Sequence, residues 1–289
     1  MSDAPASRPD RATQEAVNDI LREIEKETGA QILMAFDYGS RSRGLDNPVS
    51  DHDIHFVYRD PPVKAFSIFG SSDSIDRKLP IPVDGSLADC DLTGWSLRRT
   101  LQLCCNASPI TFGLVSSPLR YRDDPELSRE TGELLASLPP FAKSRSCHNI
   151  ARKNLGLLSR GGYRGGIKNC LYMVQYLLSS AWIIDHGGEL PPHDFRALVE
   201  KSDFRRFPGT RPVVREDILE MADMKQAPAG QRIPLDPVIH WGLVVSRQLG
   251  EEISEMPKGS PDHAFADRIF LSRYRETFAS EPHLAAAGP

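Results

Sequence analysis

Tyr38-Gly39-Ser40-Arg41-Ser42-Arg43-Gly44-Leu45-Asp46-Asn47-Pro48-Val49-Ser50-Asp51-His52-Asp53-Ile54 is the stretch on which the reading of this chain turns. It follows Gln31–Phe36, a short apolar run with strand character, so Gly39-Ser40 falls where that strand ends. A glycine lets the backbone turn tightly there. The turn is expected to open a helix or helical turn, whose free amides, together with the Ser40 hydroxyl, would face an anion. Arg41 and Arg43 add positive charge beside that pocket. From His52 to Tyr58 the pattern then alternates, with Ile54, Phe56 and Tyr58 on one face and Asp51, Asp53 and His55 on the other. That period of two marks a half-buried strand.

Two carboxylates two residues apart on a strand point to the same side and repel unless a cation neutralises them. Hard oxygen ligands of this kind favour Mg²⁺, which takes one or two carboxylates and completes its shell with substrate phosphates. Two ions, Mg²⁺ or Mn²⁺, would activate an acceptor hydroxyl and stabilise a departing pyrophosphate. The arrangement makes sense if a nucleoside triphosphate bridges the Gly39-Ser40 turn and the metals. A third carboxylate is expected on a neighbouring strand, around Ser86–Leu92. Asp91 is the choice, and Asp89 is the rival on the same face. An Asp-x-Asp pair alone is a weak signal, because acidic pairs often cap helices or make turns. A strand-ending Gly-Ser followed about ten residues later by Asp-x-Asp inside a strand is far more specific.

Outward from this segment, Ala12–Gly29 has helical spacing, with Ala16, Ile20, Leu21 and Ile24 apolar and Gly29 placed as a C-cap. The Pro- and Gly-rich stretch Asp60–Gly85 reads as irregular, with room for a lid, and Gly94–Cys105 as a helix. Beyond Asp124 strand patterns give way to helical ones, at Leu127–Leu138, Arg145–Leu158, Ile167–His186, Val214–Met224, Pro237–Ile253 and His263–Thr277. Pro139-Pro140, Gly187-Gly188 and Pro191-Pro192 punctuate them. The expected architecture is α+β: a small mixed sheet with helices over residues 1–124, then an all-helical domain over 125–289. Residues 1–12 are expected to be a disordered lead-in and not a signal peptide.

Composition narrows the function classes. No stretch approaches the roughly 18 apolar residues of a spanning helix, so no membrane is expected and the cytosol is the expected location. The five cysteines form no C-x-x-C pair and read as buried thiols; the eight histidines show no ligand spacing, so zinc is not expected. The net charge of −4 is unlike a general nucleic-acid coat. Between Leu134 and Ile184, however, there is no Asp or Glu, while Lys143, Arg145, Arg152, Lys153, Arg160, Arg164 and Lys168 are all basic. Such a block suits a triphosphate or an RNA backbone as well as it suits a solvated helix face.

The motif Gly-Ser-Arg-x-x-Gly…Ser-Asp-x-Asp-Ile-x-Phe-Val-Tyr, with the later Asp-Leu-x-Gly-Trp-x-Leu-Arg-Arg, resembles the polymerase β nucleotidyltransferase superfamily. Within it the chain is most similar to the RNA repair pathway DNA polymerase beta family (RlaP). Asn106–Pro118 and Lys168–Trp182 with Pro191-Pro192 also resemble that family, so the likeness spans about residues 35–200. It implies a polymerase β-type fold and metal-dependent transfer of a nucleoside monophosphate from an NTP, with Asp51, Asp53 and Asp91 catalytic. It also implies nucleotide contacts from Gly39, Ser40, Arg41 and Arg43 and, in the helical half, from Lys168 on the γ-phosphate and Tyr172 near the base. RNA is the expected acceptor class, with a protein side chain or a small molecule as alternatives. A catalytically silent nucleotide-binding module and an RNA-binding scaffold are the competing classes. Two positions depart from the family: Arg43 where it tends to carry Trp, and His55 where it tends to carry Arg. Both bear on acceptor specificity and leave the carboxylates intact.

Overall fold

The structure is a computed structural model that describes residues 9–47, 49–69, 72–83, 86–159, 166–207, 215–226 and 235–275. Helix α1 (Arg11–Thr28) leads into β1 (Gln31–Asp37) and β2 (His52–Arg59), followed by a helical turn, α2 (Pro62–Ala65), and strands β3 (Ser74–Val83) and β4 (Ser86–Ser96). Helices α3 (Leu97–Cys105) and α4 (Gly113–Ser116) precede the short strand β5 (Arg120–Arg122). From there the order is helical: α5 (Pro125–Ser137), α6 (Pro140–Ser159), α7 (Gly166–Asp185), α8 (Phe195–Lys201), α9 (Arg215–Gln226), α10 (Asp236–Glu255) and α11 (His263–Ser272). The α+β architecture with helices following the sheet is therefore as the sequence indicates. Among the described residues no helix is long and apolar enough to cross a membrane.

Helix α1 begins where chain chemistry starts it. The Asp10 carboxylate accepts from Thr13 N–H at 2.9 Å, and Gly29 ends the helix at φ +71. Its buried stripe of Val17, Leu21 and Ile24 covers one face of the sheet, where it meets Ile32, Ile54, Phe56, Tyr58 and Leu92. Each such aliphatic side chain contributes about 2 kcal/mol by leaving water. The opposite face carries Met34, Phe36 and Val57 into a second cluster that runs continuously through α3, α5, α6, α7 and α10. By strand alternation Asp53 and His55 lie on the same side as Val57, so they look toward the helical half.

The sheet order is β3-β4-β2-β1-β5, with β2 and β4 parallel and the other pairs antiparallel. Three expectations need correction. The stretch 60–85 is not wholly irregular: it holds α2 and the ten-residue strand β3. Pro80 and Pro82 are tolerated because β3 is an edge strand. The helix expected from Gly94 starts at Leu97, since Gly94, Trp95 and Ser96 still pair with Phe56, Val57 and Tyr58 of β2. The Ser96 hydroxyl then caps α3 by accepting from Arg99 N–H at 3.1 Å. Arg11 and Ala12 already belong to α1, while the rest of the expected lead-in falls largely on residues 1–8, outside the described residues. All five cysteines are free and buried.

Candidate active site

Strand β1 delivers the chain into the site at Asp37, which is fully buried. Its Oδ1 accepts from Gly39 N–H at 2.8 Å, while Oδ2 has no hydrogen-bond partner. Burial, and next the nearby charge of Asp53, push the Asp37 carboxyl up to about 7. The helix or helical turn expected after Gly39-Ser40 takes the form of successive turns. Leu45 N–H and Arg43 N–H both donate to the Ser40 carbonyl, at 2.9 and 3.3 Å. Gly44, at φ +67, bends the chain out of them. Gly39 lies so close to Asp53 that a Cβ in its place would sit 2.2 Å from Oδ2.

The loop that follows is tied down by Arg41. Its guanidinium donates to the Ser50 carbonyl at 2.5 Å and the Asp51 carbonyl at 3.2 Å, and pairs with Asp46 at 3.7 Å. Asp51 then precedes β2, and Asp53 stands on it opposite Asp91 in the parallel register of β2 and β4. Oxygens of Asp51, Asp53 and Asp91 all lie within 4.8 Å of one another, and each side chain is half-buried. Asp89 is exposed and pairs in register with Pro80, outside this group. Burial first, and then the charge of Asp51, raise the Asp53 carboxyl, while Lys168 and Arg43 pull it down. Three carboxylates this close are a donor set that fits hard divalent cations. In the structure the Lys78 ammonium supplies charge at the edge, 2.5 Å from Asp91 Oδ2.

Two of the residues expected to bind nucleotide stand differently from one another. Lys168 is exposed near the start of α7, close enough to Asp53 to act on its ionisation. Arg43 is only 2% exposed. Its guanidinium donates to Gln175 Oε1 at 2.6 Å and lies over the rings of Tyr38, Tyr172 and Tyr176 at 4.4, 5.7 and 5.8 Å. Arg43 thus joins the Gly39 turn to α7 from inside the protein, with no guanidinium face on solvent. Tyr172 is half-buried and is part of this cage.

His55 faces Trp95 at 4.8 Å and Tyr38 at 5.7 Å between ring centroids, and burial holds it down to about 4. It is a packed, neutral ring. Lys143 of the basic block is also buried: its ammonium donates to the carbonyls of Leu135 and Ala136 near the C-terminus of α5. That removes it from any polyanion surface. Arg145, Arg152 and Lys153 are exposed, and Arg160 and Arg164 lie outside the described residues.

Sequence reasoning missed Lys225, on the last turn of α9. Its ammonium donates to the Leu45 carbonyl, and its own carbonyl accepts from Asn47 Nδ2 at 3.2 Å. Lys168, Asp46, Asp51 and Asp53 are all near enough to act on its charge. No local signal marks a residue so far along the chain from Asp51.

A mixed sheet with the Gly39 turn set against three converging carboxylates, followed by a helical half, defines a nucleotidyltransferase-like protein. The comparison of sequences makes the assignment specific: the chain belongs to the RNA repair pathway DNA polymerase beta family, RlaP, whose model matches residues 13–226. It is 30% identical over 189 residues to the uncharacterized protein YcgL of Bacillus subtilis (strain 168), covering 65% of this chain and 69% of that protein. Among solved structures it resembles the spectinomycin adenyltransferase AAD(9) of Enterococcus faecialis, crystallised with ATP and spectinomycin. That likeness has 15% identity and a TM-score of 0.43, over 84% of this chain and 99% of that one. It also resembles a nucleotidyltransferase-like protein of Exiguobacterium sibiricum 255-15, at 12% identity and a TM-score of 0.30, over 93% and 92% of the two chains.

Proposed function

We propose that this protein transfers a nucleoside monophosphate from an NTP to an acceptor hydroxyl and releases pyrophosphate. The observation that carries this reading is the convergence of Asp51, Asp53 and Asp91 beside the Gly39-Ser40 turn. Asp51, Asp53 and Asp91 would hold two Mg²⁺ ions, with Mn²⁺ as a substitute. When bound, such ions lower the pKa of the acceptor hydroxyl and neutralise charge on the pyrophosphate leaving group.

The chain's own groups do the rest. Gly39, with no side chain, lets the turn close directly on Asp53, so the Ser40 turn is set beside the carboxylate, where its backbone would meet the phosphates. Arg41 fixes the Ser50-Asp51 backbone, so the first carboxylate is held in place before substrate arrives. Lys168, exposed on α7, would bring a cation to the triphosphate from the helical side. Arg43 and its tyrosines keep that side at a set distance from the turn. The exposed Arg145, Arg152 and Lys153, together with the family's link to RNA repair, favour an RNA 3′ end as acceptor.

The reading is tested by following pyrophosphate release from each of the four NTPs with Mg²⁺ and an RNA oligonucleotide. Release that depends on Mg²⁺ and disappears in an Asp51→Asn/Asp53→Asn variant supports it. Binding of NTP with no release under any acceptor would favour a silent nucleotide-binding module.

A further inference from the structure

Lys168 and Lys225 come from separate helices, one near the start of α7 and the other at the end of α9, yet both stand by the carboxylate group. Like charges do not converge without a reason, because each makes the other's ionisation costlier. Burial, and then the charge of Lys168, hold the Lys225 ammonium below its ordinary range. Among the described residues its hydrogen-bond partner is the neutral Leu45 carbonyl, and no carboxylate lies within ion-pair distance of it or of Lys168. A half-buried ammonium resting on one carbonyl has two further N–H groups to give.

The place it occupies narrows what would take them. Leu45 and Asn47, its two contacts, lie in the loop between the Gly39-Ser40 turn and Asp51. Lys168 is near enough to act on the charge of both Lys225 and Asp53. A ligand bound beside the turn and the carboxylates would meet one lysine from each helix. Its charge must be negative and must extend over several atoms to reach both. A chain of phosphates has that form, and a single carboxylate does not.

We propose that Lys225 is a second phosphate-binding residue of the nucleotide site. It pairs with Lys168 around the triphosphate and exchanges the Leu45 carbonyl for a phosphate oxygen when nucleotide binds. The proposal rests on the nucleotidyltransferase reading above and deepens it, by making the C-terminal turn of α9 part of the binding site. It also explains why α9 reaches back to the loop before Asp51: the helix is latched there by a contact that the ligand can replace.

Inorganic tripolyphosphate with Mg²⁺ is the probe, since it carries the phosphates without a base. Its affinity is measured by calorimetry for the full-length wild type, Lys225→Met and Lys225→Arg, beside melting curves with and without the probe. The expected result is binding by the wild type, a loss of roughly tenfold or more in Lys225→Met and substantial retention in Lys225→Arg. Without tripolyphosphate, Lys225→Met is expected to melt close to the wild type. Equal affinity of wild type and Lys225→Met would overturn the proposal. A Lys225→Met protein that melts lower yet keeps the full tripolyphosphate-induced rise would also overturn it, since Lys225 would then be a strut of the loop. Failure of the wild type to bind either tripolyphosphate or any NTP would overturn the nucleotide reading itself.

Discussion

Gly39 and Asp53 are packed so closely that the smallest side chain on Gly39 would fall 2.2 Å from Asp53 Oδ2 and 2.7 Å from its Cβ. The turn and the carboxylate are therefore a single piece of geometry, reinforced by the Tyr38 N–H donating to the Asp53 carbonyl at 3.0 Å. Gly39→Ala must move one against the other. A displacement of about 1 Å at a reacting centre costs about a hundredfold in rate. The expected outcome is a loss of that size in transfer, with weaker Mn²⁺ binding in a folded protein. Wild-type turnover in Gly39→Ala would show that the close approach is incidental.

Lys78, Asp91 and Asp53 stand in one row across β3, β4 and β2, each opposite the next in register. The Lys78 ammonium at Asp91 Oδ2 competes with any cation that the three carboxylates would bind. Because Lys78 is exposed, the pair is weak and screened by salt. Lys78→Met should tighten Mn²⁺ binding by about two- to fivefold at low salt, and the difference should shrink at high salt. Titration with Mn²⁺ followed by electron paramagnetic resonance measures this directly. Weaker binding in the variant would contradict it.

Among the described residues burial lowers four histidines, His52, His55, His148 and His193, and for three of them the shift is large. Burial is the first cause in each, lowering His52 and His55 to about 4 and His193 to about 3. In the unfolded chain they take up protons near 6.5, so the unfolded state binds more protons on acidification. The stability they contribute is present above pH 6.5 and is lost as pH falls toward 4 and 3. Asp37, raised from 3.8 to about 7, acts in the opposite sense: its native form keeps a proton, and stability falls as pH rises from 3.8 to about 7. His193 can be isolated by difference, since it meets Ser42 and Ser116 at 3.0 and 3.1 Å and is outside the carboxylate group. In EDTA, urea unfolding of His193→Gln should lose stability less steeply than the wild type below pH 6.5. The gap approaches about 1 kcal/mol per pH unit. Parallel curves would contradict the buried neutral ring.

Much of this was readable in the chain because periodicity and turn chemistry are local. The alternation of Ile54, Phe56 and Tyr58 announced β2, and Gly29 marked the end of α1. The sequence offered Asp91 with Asp89 as its rival on the same strand face, and it is the parallel register of β2 and β4 that sets Asp91 across from Asp53. Strand β3 was hidden by Pro80 and Pro82, which argue against a central strand and are silent about an edge one. The burial of Arg43 and Lys143 was also illegible. A basic residue reads as exposed until tertiary packing supplies a Gln175 side chain or the carbonyls at a helix end. Lys225 was invisible for a related reason: its partner Leu45 is brought to it only by the fold.

The most direct test of the account is transfer of label from an α-³²P-labelled NTP, with Mg²⁺, to an RNA oligonucleotide and to the protein itself. The wild type is compared with Asp51→Asn/Asp53→Asn and with Asp91→Asn. The account predicts Mg²⁺-dependent labelling by the wild type, most strongly on RNA, and none by either variant. Labelling that survives loss of the carboxylates, or a wild type that binds no NTP at all, would contradict it.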